Sequence, residues 1–434
     1  SYRSSISGRG RKKKKENSMK ALGSVWMKLL TIVSTLFFCR ADWIDPDTPL
    51  DKRTVQSEYP AAESKELPKQ YELVFSDEFN TPGRTFEDGT DPRWTALDKN
   101  DYTNDALHYY TPENVVTNQE GELVIRSEVA DTDVIGFDDV NLQKTHVTKH
   151  FRSGMMQTWN KFCFTGGVIE AQMTLPGKSE VGGLWPAFWL LGNLARHTYV
   201  SSSAHIWPWS SSECTAKSRD AQLINGCMNT AHYGFQERLG RGSPEIDIFE
   251  MQPGSVHRNQ GPFLRTYVGQ PFMSASYQVA PGRPVNRPGS GYWPGPGQWY
   301  DGIEGGEGTA PNIGFYGSYN HFAYDVDPSK SDYWSDAISY NKQLDQHFWQ
   351  EPHTYRLEWE VPSDTTDGYL RWFLDKELVL SINGTGLVDA GYGAEISSEP
   401  MYLILNTAIS KQWGFPFECP VNCPCETSKY DCSS

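Results

Sequence analysis

The stretch GSPEIDIFEMQPG, residues 242–254, sets three acids, Glu245, Asp247 and Glu250, among Ile246, Ile248 and Phe249. On a β-strand successive side chains point to opposite faces. Glu245 and Asp247 then share one face, and Ile246 and Ile248 share the other. Strict alternation would turn Phe249 toward the acids and Glu250 toward the isoleucines. One extra residue, a β-bulge, returns Glu250 to the acidic face. Glu245 and Glu250 would stand about four strand steps apart, roughly 13 Å between Cα atoms at ~3.3 Å per residue. Two glutamates leaning together close most of that gap. A solvated edge strand would also accept three acids, so the spacing alone does not decide. Two observations favour chemistry: the acids interrupt an apolar strand, and close carboxylates that perturb one another concentrate where a protein uses them.

Outward from this stretch the same strand-and-turn pattern recurs. YELVFSDEFN (71–80), GELVIRSE (121–128) and GGVIEAQMTLPG (166–177) precede it, and HTYRLEWEV (353–361), GYLRWFLDKELVLSI (368–382) and PMYLILNTAIS (400–410) follow it. GLWPAFWLLGN (183–193) is apolar and aromatic on both faces, which predicts the middle of a sheet or a cleft. No long helix-period segment stands out. Short runs of Val, Ile, Tyr, Phe and Trp between Gly, Pro, Asn and Asp clusters read as all-β. Strands on both sides of the acids predict one antiparallel β-sandwich over residues 69–416. Residues 42–68, charged and Pro-containing, read as a linker. Residues 253–312 are dominated by Gly, Pro and aromatics and read as a long loop insertion outside the regular core. No internal repeat is seen.

The formal charge of −15 disfavours nucleic acid and anionic membrane surfaces as partners and favours a neutral or cationic one. Trp185, Trp189, Trp207, Trp209 and Trp413 offer flat apolar faces that can stack on the C–H faces of sugar rings. A lone tryptophan in a β protein is more often core, so about half of them are expected to be structural.

GRGRKKKK (8–15) is strongly basic, and from Met19 a leader-like segment begins. Its apolar run, Leu29 to Cys39, is eleven residues, against the ~20 needed to span a bilayer. Cys39-Arg40-Ala41 resembles a cleavage site. Residues 1–41 therefore read as a basic leader and signal peptide. A type II signal anchor is the alternative, since residues 21–39 are apolar apart from Lys28, and it would attach the chain to a membrane. Either sends the chain into the secretory pathway. Of the eight cysteines, Cys214 and Cys227 are a disulfide candidate. Four lie in the tail 417–434, in CPVNCPCETSKYDC, where the lack of a nearby His and the secretory context favour disulfides over zinc. Asn383-Gly384-Thr385 is the one N-glycosylation sequon and is expected at the surface.

GRGSPEIDIFE resembles the bulged active-site strand of glycoside hydrolase family 16, the laminarinase-like group, and more closely the β-1,6-glucan synthesis-associated proteins of the SKN1/KRE6 type. WIDPDTP (43–49), LVFSDEFNTPGRTFEDGTDPRW (73–94), LHYYTPENV (107–115), FRSGMMQTWNKFCFTGGVIEAQMTLPG (151–177) and GLWPAFWLLGNLAR (183–196) carry the same resemblance, in order along the chain. It implies a concanavalin-like jelly roll of two antiparallel sheets whose concave face holds a β-glucan. It implies retaining double displacement, with Glu245 as nucleophile, Glu250 as general acid/base and Asp247 between them. By position Trp185, Trp189, Asn193 and Trp413 correspond to substrate-binding residues. The resemblance implies work on cell-wall or storage β-glucan, at the cell wall or in the ER–Golgi–vacuolar lumen. The family's closing strand has no counterpart before the cysteine-rich tail, so either the sequence is truncated there or the sandwich lacks an edge strand.

Two function classes follow. The first is a retaining glycosidase or transglycosylase acting on β-1,3-glucan. The second is a glucan-binding or assembly protein that keeps the aromatic groove and does no chemistry; the presence of all three acids argues against it. No cofactor is expected. Calcium held by the three acids is disfavoured because the motif supplies no loop carbonyls, and structural calcium elsewhere on the sandwich is not readable from sequence.

Overall fold

The structure, a computed structural model, describes residues 43–58, 68–101, 103–138, 143–193, 195–198, 243–252, 271–279, 302–312, 318–319, 334–389 and 396–410. Among the described residues strands dominate, with short 3-10 turns and one six-residue α-helix, Gly384–Asp389. The larger sheet runs Thr309–Pro311, Trp334–Gln343, Phe272–Val279, Glu245–Gln252, Trp185–Gly192, Met401–Ala408, Met155–Gln157, Thr95–Ala96, with Ser318–Tyr319 paired to Trp334–Gln343. Neighbouring strands in it are antiparallel. The second sheet runs Gly167–Met173, His353–Glu360, Tyr369–Leu374, Glu377–Asn383, Ile303–Gly305, also antiparallel.

The alternation that predicted strands also decides which faces meet. In His353–Glu360 the core takes Tyr355, Leu357 and Trp359, and from Tyr369–Leu374 it takes Leu370, Trp372 and Leu374. The larger sheet answers with Phe188, Leu190, Ile246, Ile248, Phe249, Met251, Met273, Ala275 and Tyr277. Phe249 stacks on Tyr355 across the interface, with ring centroids 4.4 Å apart. Burying an aromatic or large aliphatic side chain contributes roughly 1.5–3 kcal/mol, so this layer holds the sandwich closed. A separate buried group on the other face of the larger sheet contains Ala187, Trp189, Leu191, Tyr110, Tyr402 and Ile404. An all-β sandwich of antiparallel sheets is therefore what the chain forms.

Two expectations about organisation are corrected. The segment read as a linker, 42–68, packs onto the sandwich over residues 43–58. Trp43 bridges to Phe75, and Thr54–Gln56 pairs with Gln70–Glu72. Arg356 and Glu358 point away from the core yet are buried, because this strap covers them. Arg356 Nη2 donates to the Gln56 carbonyl at 2.6 Å, and the Glu58 N–H donates to Glu358 Oε1 at 2.6 Å. An outward-facing ion pair that needs polar partners explains why a polar segment docks there.

The second correction concerns 253–312, read as an insertion outside the core. Phe272–Val279 within it is an interior strand of the larger sheet, hydrogen-bonded to both Glu245–Gln252 and Trp334–Gln343. Ile303–Gly305 and Thr309–Pro311 are also strands. Met273, Ala275 and Tyr277 face the core while small Ser274 and Ser276 occupy the other face. Small polar residues on one face and Gly/Pro-rich flanks hid a strand that alternates normally.

An ion network stabilises the segment 73–94. Arg84 forks between Asp77, at 2.6 Å, and Asp91, at 2.7 Å. The Trp94 indole N–H also donates to Asp77, at 3.0 Å. The two carboxylates hold the Arg84 guanidinium protonated far above its ordinary range, against the opposing effect of its burial.

Candidate active site

The acid strand, Glu245–Gln252, lies between the tryptophan strand, Trp185–Gly192, and the serine strand, Phe272–Val279. Its entry is tight: a Cβ on Gly192 would meet Ser243 Oγ at 2.3 Å, so glycine is what lets the two chains approach. Along the tryptophan strand Glu245 faces Leu191 and Asp247 faces Trp189, and then the register slips, Phe249 facing Phe188 and Glu250 facing Ala187. Toward the serine strand Asp247 faces Ser276 and Glu250 faces Ser274. Ile248 is thus the extra residue. Ile248 and Phe249, consecutive in sequence, both enter the sandwich core. That bulge returns Glu250 to the face of Glu245 and Asp247, as the spacing predicts. From the opposite sheet the Trp372 indole N–H donates to the backbone carbonyl of Asp247 at 2.8 Å, immediately before the bulge.

All three acids are buried: Glu245 is 9% exposed, Asp247 1% and Glu250 5%. Gln278, on the serine strand, donates both amide hydrogens inward, to Glu245 Oε1 at 3.0 Å and Asp247 Oδ2 at 2.9 Å. Burial pushes the Asp247 carboxyl up to about 6, with hydrogen bonding to Glu245 and to the Gln278 amide opposing the rise. Burial pushes Glu250 well above the usual carboxylate range; the charge of Asp247 adds to it, and hydrogen bonding with Trp185 opposes it. Glu250 has no amide partner like Gln278. The arrangement therefore keeps a proton on Glu250 while two fixed N–H donors face Glu245 and Asp247, a division of labour between neighbouring carboxyls.

Trp185 and Trp189 lie on the same face of their strand as Ala187, beside the acids. Trp189 is largely buried, and its indole N–H donates to Asn406 Oδ1 at 2.8 Å; Asn406 Nδ2 in turn reaches the Tyr110 hydroxyl at 3.3 Å. Trp185 is partly exposed. Asn193 follows the end of that strand, where its N–H donates to the Pro400 carbonyl at 2.8 Å. Asn383 is exposed at the end of its strand, and the sequon's Thr385 hydroxyl donates to Asp367 at 2.8 Å. Trp413, Trp207, Trp209, Cys214, Cys227, the leader 1–41 and the tail 417–434 lie outside the described residues. Cys163 is exposed with a free thiol.

Four contributors carried no sequence signal. Gln278 has no motif. Asn406 and Tyr110 are 296 residues apart in sequence. Trp372 acts on the site from the far sheet. The serine strand also brings a hydroxyl cluster beside the acids, Ser276 donating to Ser339 at 2.8 Å. Among the described residues no group of three or more His, Cys, Asp or Glu is arranged to hold a metal ion.

Residues 10–290 and 308–428 match the family described as beta-glucan synthesis-associated protein SKN1/KRE6/Sbg1. The chain is 32% identical over 395 residues to beta-glucan synthesis-associated protein KRE6 of Saccharomyces cerevisiae, covering 87% of this chain and 47% of that protein. It is 31% identical over 394 residues to beta-glucan synthesis-associated protein SKN1 of Candida albicans, covering 87% and 46%. The chain thus spans about half the length of the curated relatives it matches. Among solved structures it is similar to the catalytic domain of an endo-1,3-beta-glucanase (laminarinase) from Thermotoga petrophila, with 20% identity, a TM-score of 0.42, and coverage of 80% of this chain and 90% of that one.

Proposed function

Since the chain belongs to the SKN1/KRE6/Sbg1 family of beta-glucan synthesis-associated proteins, we propose that it is a retaining β-glucan-active glycosidase or transglycosylase of the secretory pathway. Its substrate is β-1,3-glucan, and its role is the building or remodelling of β-1,6-branched cell-wall or storage glucan. The observation that carries this reading is the bulged strand. It gathers Glu245, Asp247 and Glu250 on one face and gives them different proton environments.

Ionised Glu245 attacks the anomeric carbon as Glu250 passes its proton to the departing glycosidic oxygen. The bond from sugar to leaving oxygen breaks, and an ester between the sugar and Glu245 forms. Glu250, now a carboxylate, takes the proton of an incoming hydroxyl, which displaces Glu245 and restores both groups. The incoming hydroxyl belongs to water in hydrolysis and to a second sugar in transfer. Gln278 holds the Glu245 and Asp247 oxygens in place through both steps. Asp247 raises the proton affinity of Glu250, which helps keep the acid charged with its proton before the first step. Burial of all three acids limits access of bulk water, which favours transfer to a bound sugar.

The same burial favours a second reading, a glucan-binding or assembly protein on the same sandwich with no turnover. Purified protein assayed on laminarin, with labelled laminari-oligosaccharide as acceptor and Glu245→Gln as control, separates the two. Release of reducing ends or labelled transfer product, lost in Glu245→Gln, is expected. Neither product from the wild type, or equal product from Glu245→Gln, leaves the binding reading in its place. The ratio of transferred to hydrolysed product distinguishes transglycosylase from hydrolase.

A further inference from the structure

We propose that His197 is a sugar-contacting residue of this cleft, held at the edge of Trp189 by the buried carboxylate of Asp101; the inference rests on the glucan reading above.

Asp101 is buried between two imidazoles, with His108 Nε2 and His197 Nε2 each 3.5 Å from its Oδ2. The two histidines hold its carboxyl well below the usual range, overcoming the opposing effect of burial. Their situations differ. His108 is fully buried, and its Nδ1 lies 3.1 Å from the Ile409 N–H that donates to it. That histidine is spent on structure. His197 keeps 18% of its side chain exposed. Its ring stands edge-on to Trp189, centroids 5.1 Å apart and planes at 83°, and lies 6.3 Å from Tyr110. Trp189 pairs in register with Asp247, so His197 sits one ring away from the acid strand.

The turn that carries His197 is pinned on several sides. The Ala195 N–H donates to the Gly192 carbonyl at 3.0 Å, and the Tyr402 hydroxyl donates to the Ala195 carbonyl at 3.0 Å. Arg196 Nη1 donates to the carbonyls of Asn193 and Ala195, at 2.6 Å each, and its guanidinium lies 3.7 Å over the Trp159 ring. Thr198, β-branched, is held at φ +63°. A β-branched residue in the left-handed region persists only where its surroundings over-determine it, and such positions concentrate at ligand contacts. A histidine that merely filled space would need no strained, five-point anchorage.

The chemistry of the ligand follows from the ring nitrogens. With Nε2 turned to the Asp101 carboxylate at 3.5 Å, Nδ1 is the ring nitrogen left for a ligand. A ring nitrogen next to the acid strand exchanges a hydrogen bond with a hydroxyl, the group a pyranose presents around its ring. Asp101 behind the histidine and three acids nearby disfavour uronate or sulfated sugars. The ligand is a neutral glucan, and His197 takes one of its hydroxyls.

The test is titration calorimetry with laminarihexaose on Glu245→Gln, with His197→Phe or His197→Gln added. Phenylalanine keeps the ring against Trp189 and loses the ring nitrogen, while glutamine keeps a hydrogen-bonding group. His197→Phe is expected to weaken binding about tenfold and His197→Gln less than about threefold, as for loss of one hydrogen bond, measured where circular dichroism shows each variant fully folded. Affinity for His197→Phe equal to the parent, or equal losses in both variants, overturns the contact while leaving the enzyme reading intact. Wild-type protein without turnover, alongside weakened binding in His197→Phe alone, removes the enzyme reading and keeps the contact. A Glu245→Gln parent that binds no laminarihexaose overturns the contact as well.

Discussion

Trp372 and Asp247 belong to different sheets, and the indole N–H of the first donates to the backbone carbonyl of the second at 2.8 Å. The bond passes through the sandwich core and ends where the acid strand begins to bulge. It ties the far sheet to an irregular point in the strand. Trp372→Phe removes the donor and leaves a buried carbonyl unsatisfied, at a cost of about 1–3 kcal/mol. Urea unfolding should show that loss. The reaction on laminarin should fall further than the unfolded fraction accounts for, because the bulge aims Glu250. Activity that tracks the folded fraction alone would reduce Trp372 to a core residue.

Gln278 offers a test of how the acids are held. Its two amide hydrogens favour the ionised forms of Glu245 and Asp247. Gln278→Met keeps bulk and loses both donors, so the pKa of the Asp247 carboxyl rises further. The acidic limb of kcat/KM should move to higher pH and kcat should drop about tenfold or more. A pH profile superimposable on the wild type would show that the amide orients nothing.

Asp247 and Glu250 also couple activity to stability. The charge of Asp247 raises Glu250, so Asp247→Asn lets Glu250 lose its proton at lower pH, and the alkaline limb of activity should move down. For stability the sign is set by Asp247 itself. Its folded carboxyl is raised from 3.8 to about 6, so the folded state binds the proton more tightly than the unfolded chain. That stabilisation is complete below the unfolded value and is lost as pH rises through about 6, at up to about 1.4 kcal/mol per pH unit. Unfolding free energies of wild type and Asp247→Asn measured from pH 4 to 7 should converge at the acid end and separate toward neutrality, with the asparagine variant the more stable. A difference that stays constant with pH contradicts this.

Arg84 joins two buried acids, Asp77 and Asp91. Arg84→Met leaves Asp91 without its guanidinium and Asp77 with only Arg93, at 3.6 Å, and breaking a buried pair costs about 3–5 kcal/mol. Denaturant midpoints should fall accordingly at neutral pH, and recover partly as the pH drops and the stranded carboxyls take up protons. Arg84→Lys keeps the charge but cannot fork, and should fall between the two.

The acid strand was readable because two periodicities conflicted within it: acids two and three apart, and apolar residues filling between, fit only with one residue added. The sheet strands around it were readable from alternation. The strand Phe272–Val279 was not, because its eight residues lie among Gly and Pro and its outward face carries serines rather than charges. Docking of 43–58 could not be foreseen, since the reason for it, the outward pair Arg356 and Glu358, is some 300 residues away. The same holds for Trp372, Gln278 and Asn406, whose roles arise only from register. Trp189, read as a sugar platform, is largely buried with its N–H engaged. Aromatic content predicted a groove lining without distinguishing the ring beneath the surface from the ring upon it.

Ile248 is the residue that the neighbouring strand leaves unmatched. Its side chain is ordinary, and valine or leucine would fill the same space. Its position in the count is what matters. Deleting it would restore plain alternation and swing Glu250 from the cleft into the hydrophobic layer, although no acid had been altered. The site is therefore written partly in chain length. Conservative swaps to valine or leucine would report Ile248 as a tolerant core position, while removal of that one residue would be as damaging as removal of an acid.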